Sequence, residues 1–330
     1  MKLQPLSLLF SLGVISCNGQ KPFGTELLTL EKEIAMPKVK GRIDHMAVNL
    51  KEKILYVAAL GNNTVEVIDL EKGLVIKSIE GVEEPQGIVY IPEQNEIVVA
   101  SGGNGDCVFF NASSFENIAT IHLLGDADNI RYDASERKMY VGYGNGGIAM
   151  IDPIAHKQIG NVKLPAHPES FQLDKKNKKL YVNLPDDHSI SVIDLKSFSL
   201  ANTWKISNYR ANFPMALDTS KNLVIVGYRH PSLLVSYDGN NGNQVSTNEL
   251  TGDIDDIFYH ADKLEIIASG GDGSINIFKR ENETAFKKIA DIPTRKGART
   301  CLLIPSLQYF VLAQRADSKK PAIIAVYKIK

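Results

Sequence analysis

Between Lys53 and Ile79 the chain reads KILYVAALGNNTVEVIDLEKGLVIKSI: three short apolar runs separated by two tight turns. Ile54 to Ala58 is one apolar run. Gly61-Asn62-Asn63-Thr64 follows as a hairpin turn, since Gly and Asn accept the positive φ that such turns need. Thr64 leads into a strand around Val65 and Val67 that stops at Asp69. Asp69 to Gly73 is a second turn, with an Asp able to cap the turn amides and a Gly at its end. Leu74 to Ile79 is the third strand. A unit this small cannot bury its own faces, so it demands stacked copies of itself.

The copies are present. Tyr56 corresponds to Val98, Tyr140, Tyr181, Ile225, Ile266 and Val311. The turn at Gly61 corresponds to Gly103-Asn104-Gly105, Asn145-Gly146-Gly147, Asp186-Asp187-His188, Arg229-His230-Pro231, Gly271-Asp272-Gly273 and Ala316-Asp317-Ser318. A further apolar strand stands about ten residues before each repeat of Tyr56, as in Met46 to Val48 and Ile130 to Tyr132. Four strands recurring every 40–45 residues or so are the signature of a β-propeller blade. The chain is therefore expected to be all-β, a propeller of seven four-stranded blades over roughly 43–80, 81–122, 123–164, 165–206, 207–250, 251–292 and 293–330. The seventh unit supplies only three strands. Glu26 to Ile34, with apolar residues at Leu28, Leu30 and Ile34, is the expected fourth strand, closing the ring and removing an open edge.

The start of the chain reads differently. Lys2, an apolar run from Leu6 to Ile15, and Ser16-Cys17 have the order of a signal peptide over 1–16. Val14-Ile15-Ser16-Cys17 resembles the lipobox of bacterial lipoproteins, which implies acylation of Cys17 and a tether over 17–25 ahead of the propeller at 26–330. The expected location is extracytoplasmic, in the periplasm or at the outer membrane, with membrane contact through the anchor alone. Cys107 and Cys301 fall in separate blades and read as small buried side chains rather than a disulfide. A net charge of −1 gives no electrostatic case for nucleic acid.

The run LYVAALGNNTVEVIDLEKGLVIKSI resembles the YVTN-type propeller repeat, and the whole segment after the leader is similar to the YncE-like group of secreted propellers. Ala268 to Phe278 also resembles a WD40 repeat but lacks its Trp-Asp pair. The resemblance implies that the loop entering each inner strand and the hairpin between the second and third strands open on one face. It leaves function open, because sites are grafted onto this fold in many ways.

Sorting by that face places Asp44, Gln86, Asp128, Glu169, Phe213, Asp255 and Arg299 just before the inner strands, followed in turn by His45, Gly87, Asn129, Ser170, Pro214, Asp256 and Thr300. These fourteen are expected to ring the mouth of a central channel. Arg42, Arg210, Arg229, Arg295, Arg299 and Arg315 fall in loops of the same face, whereas Arg131, Arg137 and Arg280 lie elsewhere. Guanidinium groups match carboxylate or phosphate. The first expectation is thus a monomeric binding module for an anionic small molecule, a sugar or a partner protein. Its contacts would come from Arg42, Asp44, Gln86, Asp128, Asn129, Glu169, Arg210, Tyr228, Arg229, Asp255, Asp256 and Arg299. The alternative at this stage is that the arginines pair with Asp44, Asp128, Asp253, Asp255 and Asp256.

An enzyme of the lyase or lactonase type, acting on a carboxylated sugar, is the second functional expectation. His45 or His167 would act with Tyr143, Tyr209 or Tyr228 as catalytic groups. His188 and His230 map to the same face, and His45 and His167 are expected across the channel from each other. His167 and Glu169, alternating on one loop, could hold a divalent metal with Asp128, but no HxH or HExxH spacing supports it and no cofactor is expected. Gly142, Gly144 and Gly147 match a dinucleotide fingerprint only by accident, since a strand rather than a helix follows.

Overall fold

The computed structural model describes residues 22–330. Seven four-stranded antiparallel sheets follow one another along the chain and close into a ring. Blade one holds β2 to β5 (Met46–Asn49, Ile54–Ala59, Thr64–Asp69 and Leu74–Ile79). Its turns are those expected. Asn63 takes a left-handed conformation at φ 55°, and Gly73 does so at φ 69°. The Asp69 carboxylate accepts the Lys72 amide at 2.8 Å. The same Asx geometry recurs at Asn111, Asp152, Asp194 and Asp238, which is why a polar residue closes the third strand of one blade after another.

Blade seven is built from two ends of the chain. Its inner strand Cys301–Ile304 (β26) pairs with Tyr309–Gln314 (β27), which pairs with Ala322–Ile329 (β28). Outermost is Leu28–Met36 (β1), antiparallel to β28 from Leu28 opposite Ile329 to Met36 opposite Ala322. The expected closure is therefore present, two residues later than its sequence bounds. Gly24, left-handed at φ 66°, turns the chain into a short 3-10 turn before β1. Just ahead of it Phe23 pairs with Asp291 of blade six, so the end of the expected tether lies against the ring.

The core sits between blades rather than within them, because a single sheet has no second layer of its own. Leu55, Val57 and Ile68 of blade one meet Ile34, Met36, Val311 and Ile324 of blade seven. Tyr56, Val65 and Val67 on the other face meet Ile97, Val99 and Phe110 of blade two. The same alternation continues around the ring. Cys107 and Cys301 are buried and free, as expected. Leu28, Ile34 and Met36 are nearly inaccessible, so the closing strand contributes apolar burial as well as hydrogen bonds.

One irregularity positions the site. At the top of each inner strand, two consecutive residues face a single residue of the neighbouring strand. In blade two Ile88 opposes Val99 and Pro85 opposes Ser101, leaving Gln86 and Gly87 across from Ala100. The same two-for-one bulge sets Asp128 and Asn129 against Gly142, Phe213 and Pro214 against Gly227, and Asp255 and Asp256 against Ser269. In blades one and four, Asp44 with His45 and Glu169 with Ser170 exchange backbone hydrogen bonds with Ala58 and Asn183 respectively. In blade seven Ala313 donates to the Thr300 carbonyl at 3.0 Å. The facing residues are Ala, Gly or Ser except for Asn183, and a Cβ at Gly142 or Gly227 would press on Pro168 or Pro214.

Candidate functional site

The fourteen positions expected at the channel mouth are the bulge residues themselves. A bulge re-aims adjacent side chains that a regular strand would send to opposite faces. That explains how Asp44 and His45, or Asp255 and Asp256, reach one place. Below them a cavity of about 620 Å³ runs between the inner strands, with His45 and Asp256 at one end and Tyr90, Tyr132 and Tyr259 among its walls.

The mouth divides into two halves. In the first, arginines and acids are matched. Arg229 lies 2.6 Å from Asp255 and 3.8 Å from Asp253, donates to the Ile254 carbonyl at 2.9 Å, and stacks over Phe213 at 3.9 Å. Arg299 reaches Asp253 at 2.8 Å and Asp255 at 2.9 Å. Arg42 pairs with the buried Asp44 at 2.9 Å. The alternative weighed in the sequence, that these guanidinium groups pair with local acids, describes Arg42, Arg229 and Arg299.

The second half is acidic. Asp126, Asp128 and Glu169 converge around His167, and among the described residues no Arg or Lys comes within ion-pair distance of the three carboxylates. Asp128 is buried and accepts the Asn129 amide at 3.2 Å. Asp126 is exposed and accepts Gln86 Nε2 at 3.1 Å. Burial, chiefly, and then the neighbouring acids raise the Asp128 carboxyl to about 6, although His45 and His167 oppose the shift. Glu169 is held well above the usual carboxylate range by burial and by Asp128, Asp255 and Asp44.

His45 joins the halves. Its ring lies 3.7 Å from Asp44 and 3.6 Å from Asp256. Burial disfavours its charged form, but Asp44, Asp256 and Asp128 together outweigh that and raise its pKa. Asp256 is pushed up to about 6 by burial despite His45 and the Cys301 amide, which it accepts at 2.8 Å. Asp255 is also raised, by burial first, against the pull of Arg299 and Arg229.

Several expectations require correction. Tyr228 is fully buried in the core between blades four and five, its hydroxyl 2.7 Å from that of Tyr237. It faces blade four because Val224, Val226 and Tyr228 alternate onto that side, so it cannot reach a ligand. Arg210 folds onto the carbonyls of Ser207 and Tyr209 in its own loop, apart from the cluster. Arg295 likewise binds the Arg315 and Pro321 carbonyls. None of the tyrosines expected beside the imidazoles partners them: Tyr143 bonds Asn161 and Tyr209 bonds Gln244. His45 lies beside Asp44 and Asp256, and His167 beside Asp126 and Asp128. His188 and His230 are exposed hairpin residues.

The sequence reading missed one residue outright. Arg131, placed elsewhere because it is not in a loop, stands on the inner strand and enters the channel. It donates to its own Ile130 carbonyl at 2.8 Å and lies 5.5 Å from the centre of the Phe171 ring. Burial lowers its pKa, against the attraction of Asp256 and Asp128. Counting along the inner strand from the bulge would have found it. Cys17 and the expected signal peptide lie outside the described residues.

No protein-family model matches the chain, and no curated protein matches it in sequence. Solved structures do match its fold. A chain in a crystal structure of the mitotic checkpoint complex superposes with a TM-score of 0.77 at 17% identity, covering 99% of each chain. A chain of hydrazine synthase from Kuenenia stuttgartiensis superposes with a TM-score of 0.76 at 13% identity, covering 88% of this chain and 98% of that one. At such identities the likeness extends to the propeller fold.

Proposed function

We propose that the protein is a binding module that receives a positively charged group at the acidic half of its channel mouth. It is carried outside the cytoplasm on a lipid-modified Cys17, as a propeller of the YVTN-repeat kind. The anchor and the family rest on Val14-Ile15-Ser16-Cys17 and on the repeat at Leu55 to Ile79. The ligand class rests on one observation: Asp126, Asp128 and Glu169 converge around His167 with no Arg or Lys at ion-pair distance among the described residues, while Arg42, Arg229 and Arg299 already face other acids. Carboxylates crowded by burial and by each other are relieved by an incoming cation. An anionic ligand would have to compete for guanidinium groups already engaged.

The cation is either part of a small polar molecule or a basic side chain of a partner protein. The second option has a parallel in the mitotic checkpoint complex, where the similar chain belongs to a protein assembly. The reading is tested by melting curves of the full chain with spermidine, arginine, galacturonate and phosphate. A ligand for the native state raises the melting temperature with concentration. Spermidine or arginine is expected to raise it, and Glu169→Gln to abolish most of the rise. A response to galacturonate or phosphate alone, lost in Arg42→Ala, would replace this reading with the anionic one.

A further inference from the structure

His167 carries more information than its charge. Its Nδ1 lies 2.6 Å from the Gly144 carbonyl oxygen, which can only accept a hydrogen bond. Nδ1 therefore holds a proton, and in the neutral ring Nε2 presents the lone pair. That Nε2 stands 4.0 Å from Asp128 Oδ2, too far for a hydrogen bond. One ligand atom each from Asp128, His167 and Glu169 all lie within 4.8 Å of one another. Three groups able to ligate a metal thus lie close together, and among the described residues no Arg or Lys pairs with them. A backbone carbonyl that fixes the tautomer of an imidazole is the usual outer support of a metal-binding histidine. Asn129, 2% exposed, has a buried Oδ1 with no hydrogen-bond partner, on the same amide whose Nδ2 holds Asp128.

We infer that Asp128, His167 and Glu169 form a three-ligand site for a divalent transition ion of the zinc or manganese class. One imidazole with two carboxylates suits these ions better than an all-oxygen cage or a thiolate site would. Bonds of about 2.0–2.2 Å require the ligand atoms to draw together by up to about 1.5 Å, a movement that the half-buried Glu169 side chain permits. The remaining coordination positions open toward the channel mouth, where water or the oxygen atoms of a ligand complete the shell. The inference deepens the reading of the mouth as a cation site and rests on it.

The test uses the full chain, stripped with a chelator and titrated with zinc chloride, and separately with manganese chloride, by calorimetry. One ion per chain is expected. His167→Gln and Glu169→Gln should each weaken it at least about tenfold, as losses around a metal do. His122→Gln, at an exposed pair 2.7 Å from Asp106, should leave affinity unchanged. Melting curves without metal check that each variant is folded. Affinity weaker than about 100 µM for both ions, or full affinity in both site variants, overturns the inference. If metal fails while spermidine still acts through Glu169, the mouth remains a cation site without a metal. If metal binds and organic cations do not, the proposed ligand class falls and the metal site stands.

Discussion

The two halves of the channel mouth are made by the same backbone device and hold opposite electrostatic states. On one side Asp253 and Asp255 face Arg229 and Arg299. On the other, Asp126 and Asp128 have His167 as their ion-pair partner and Glu169 has none, among the described residues. The first half is internally balanced, and its charges hold blades five, six and seven against each other. In the second half burial first, and then the neighbouring acids, raise the carboxyls of Asp128 and Glu169. Two groups of carboxylates that a sequence presents alike therefore differ in setting: one is paired with guanidinium groups, the other is not.

Removing a cation from the balanced half is the harshest way to try this contrast. Arg299→Ala would leave Asp253 and Asp255 short of a partner and should cost about 3 kcal/mol in urea unfolding. Glu169→Gln in the acidic half should do the reverse, holding or raising stability by no more than about 1–2 kcal/mol. Equal losses in the two variants would erase the distinction.

Asp256→Asn offers a smaller effect with a defined pH dependence. The folded state raises this carboxyl to about 6, above the ordinary value near 3.9, so its ionised form opposes folding. The substitution should stabilise by on the order of 2 kcal/mol above pH 6, and the gain should fade as pH falls toward 4. It also removes one of the acids that raise His45, whose titration midpoint by NMR should move down. A constant stability difference across that pH range would contradict the assignment. Smaller again, Tyr228→Phe should cost about 1 kcal/mol for the lost bond to Tyr237 and leave the spermidine response intact. Arg210→Ala should change stability by less than about 0.5 kcal/mol and leave ligand binding unaltered.

The fold was legible because blades repeat. Tyr56 and its six counterparts keep their distance to the turn that follows, and the missing strand of the seventh unit could be sought at the other end of the chain. The identity of the mouth residues was legible too, since stepping back twelve residues from those positions reaches Asp44 and Asp128, and eleven reaches Asp255. What the spacing does not carry is partnership. Whether Arg229 meets a ligand or Asp255 depends on which neighbouring blade its side chain faces, and these residues are 26 apart in the chain. Tyr228 and Arg229 are adjacent, yet alternation sends one into the core toward blade four and the other toward blade six. A count by twos along that strand separates them, whereas their shared place before a turn does not. The tautomer of His167 was beyond reach for a related reason: it is set by the Gly144 carbonyl, 23 positions earlier.

The doubled residue at the head of each inner strand has a wider meaning. Asp128 with Asn129 and Phe213 with Pro214 occupy equivalent sockets, although one pair is polar and the other apolar. None of these four side chains belongs to the apolar layers between blades, although other rim residues bridge neighbours, as Asp256 does to the Cys301 amide. Such a scaffold can acquire a new specificity by exchanging those rim pairs that do not tie one blade to the next.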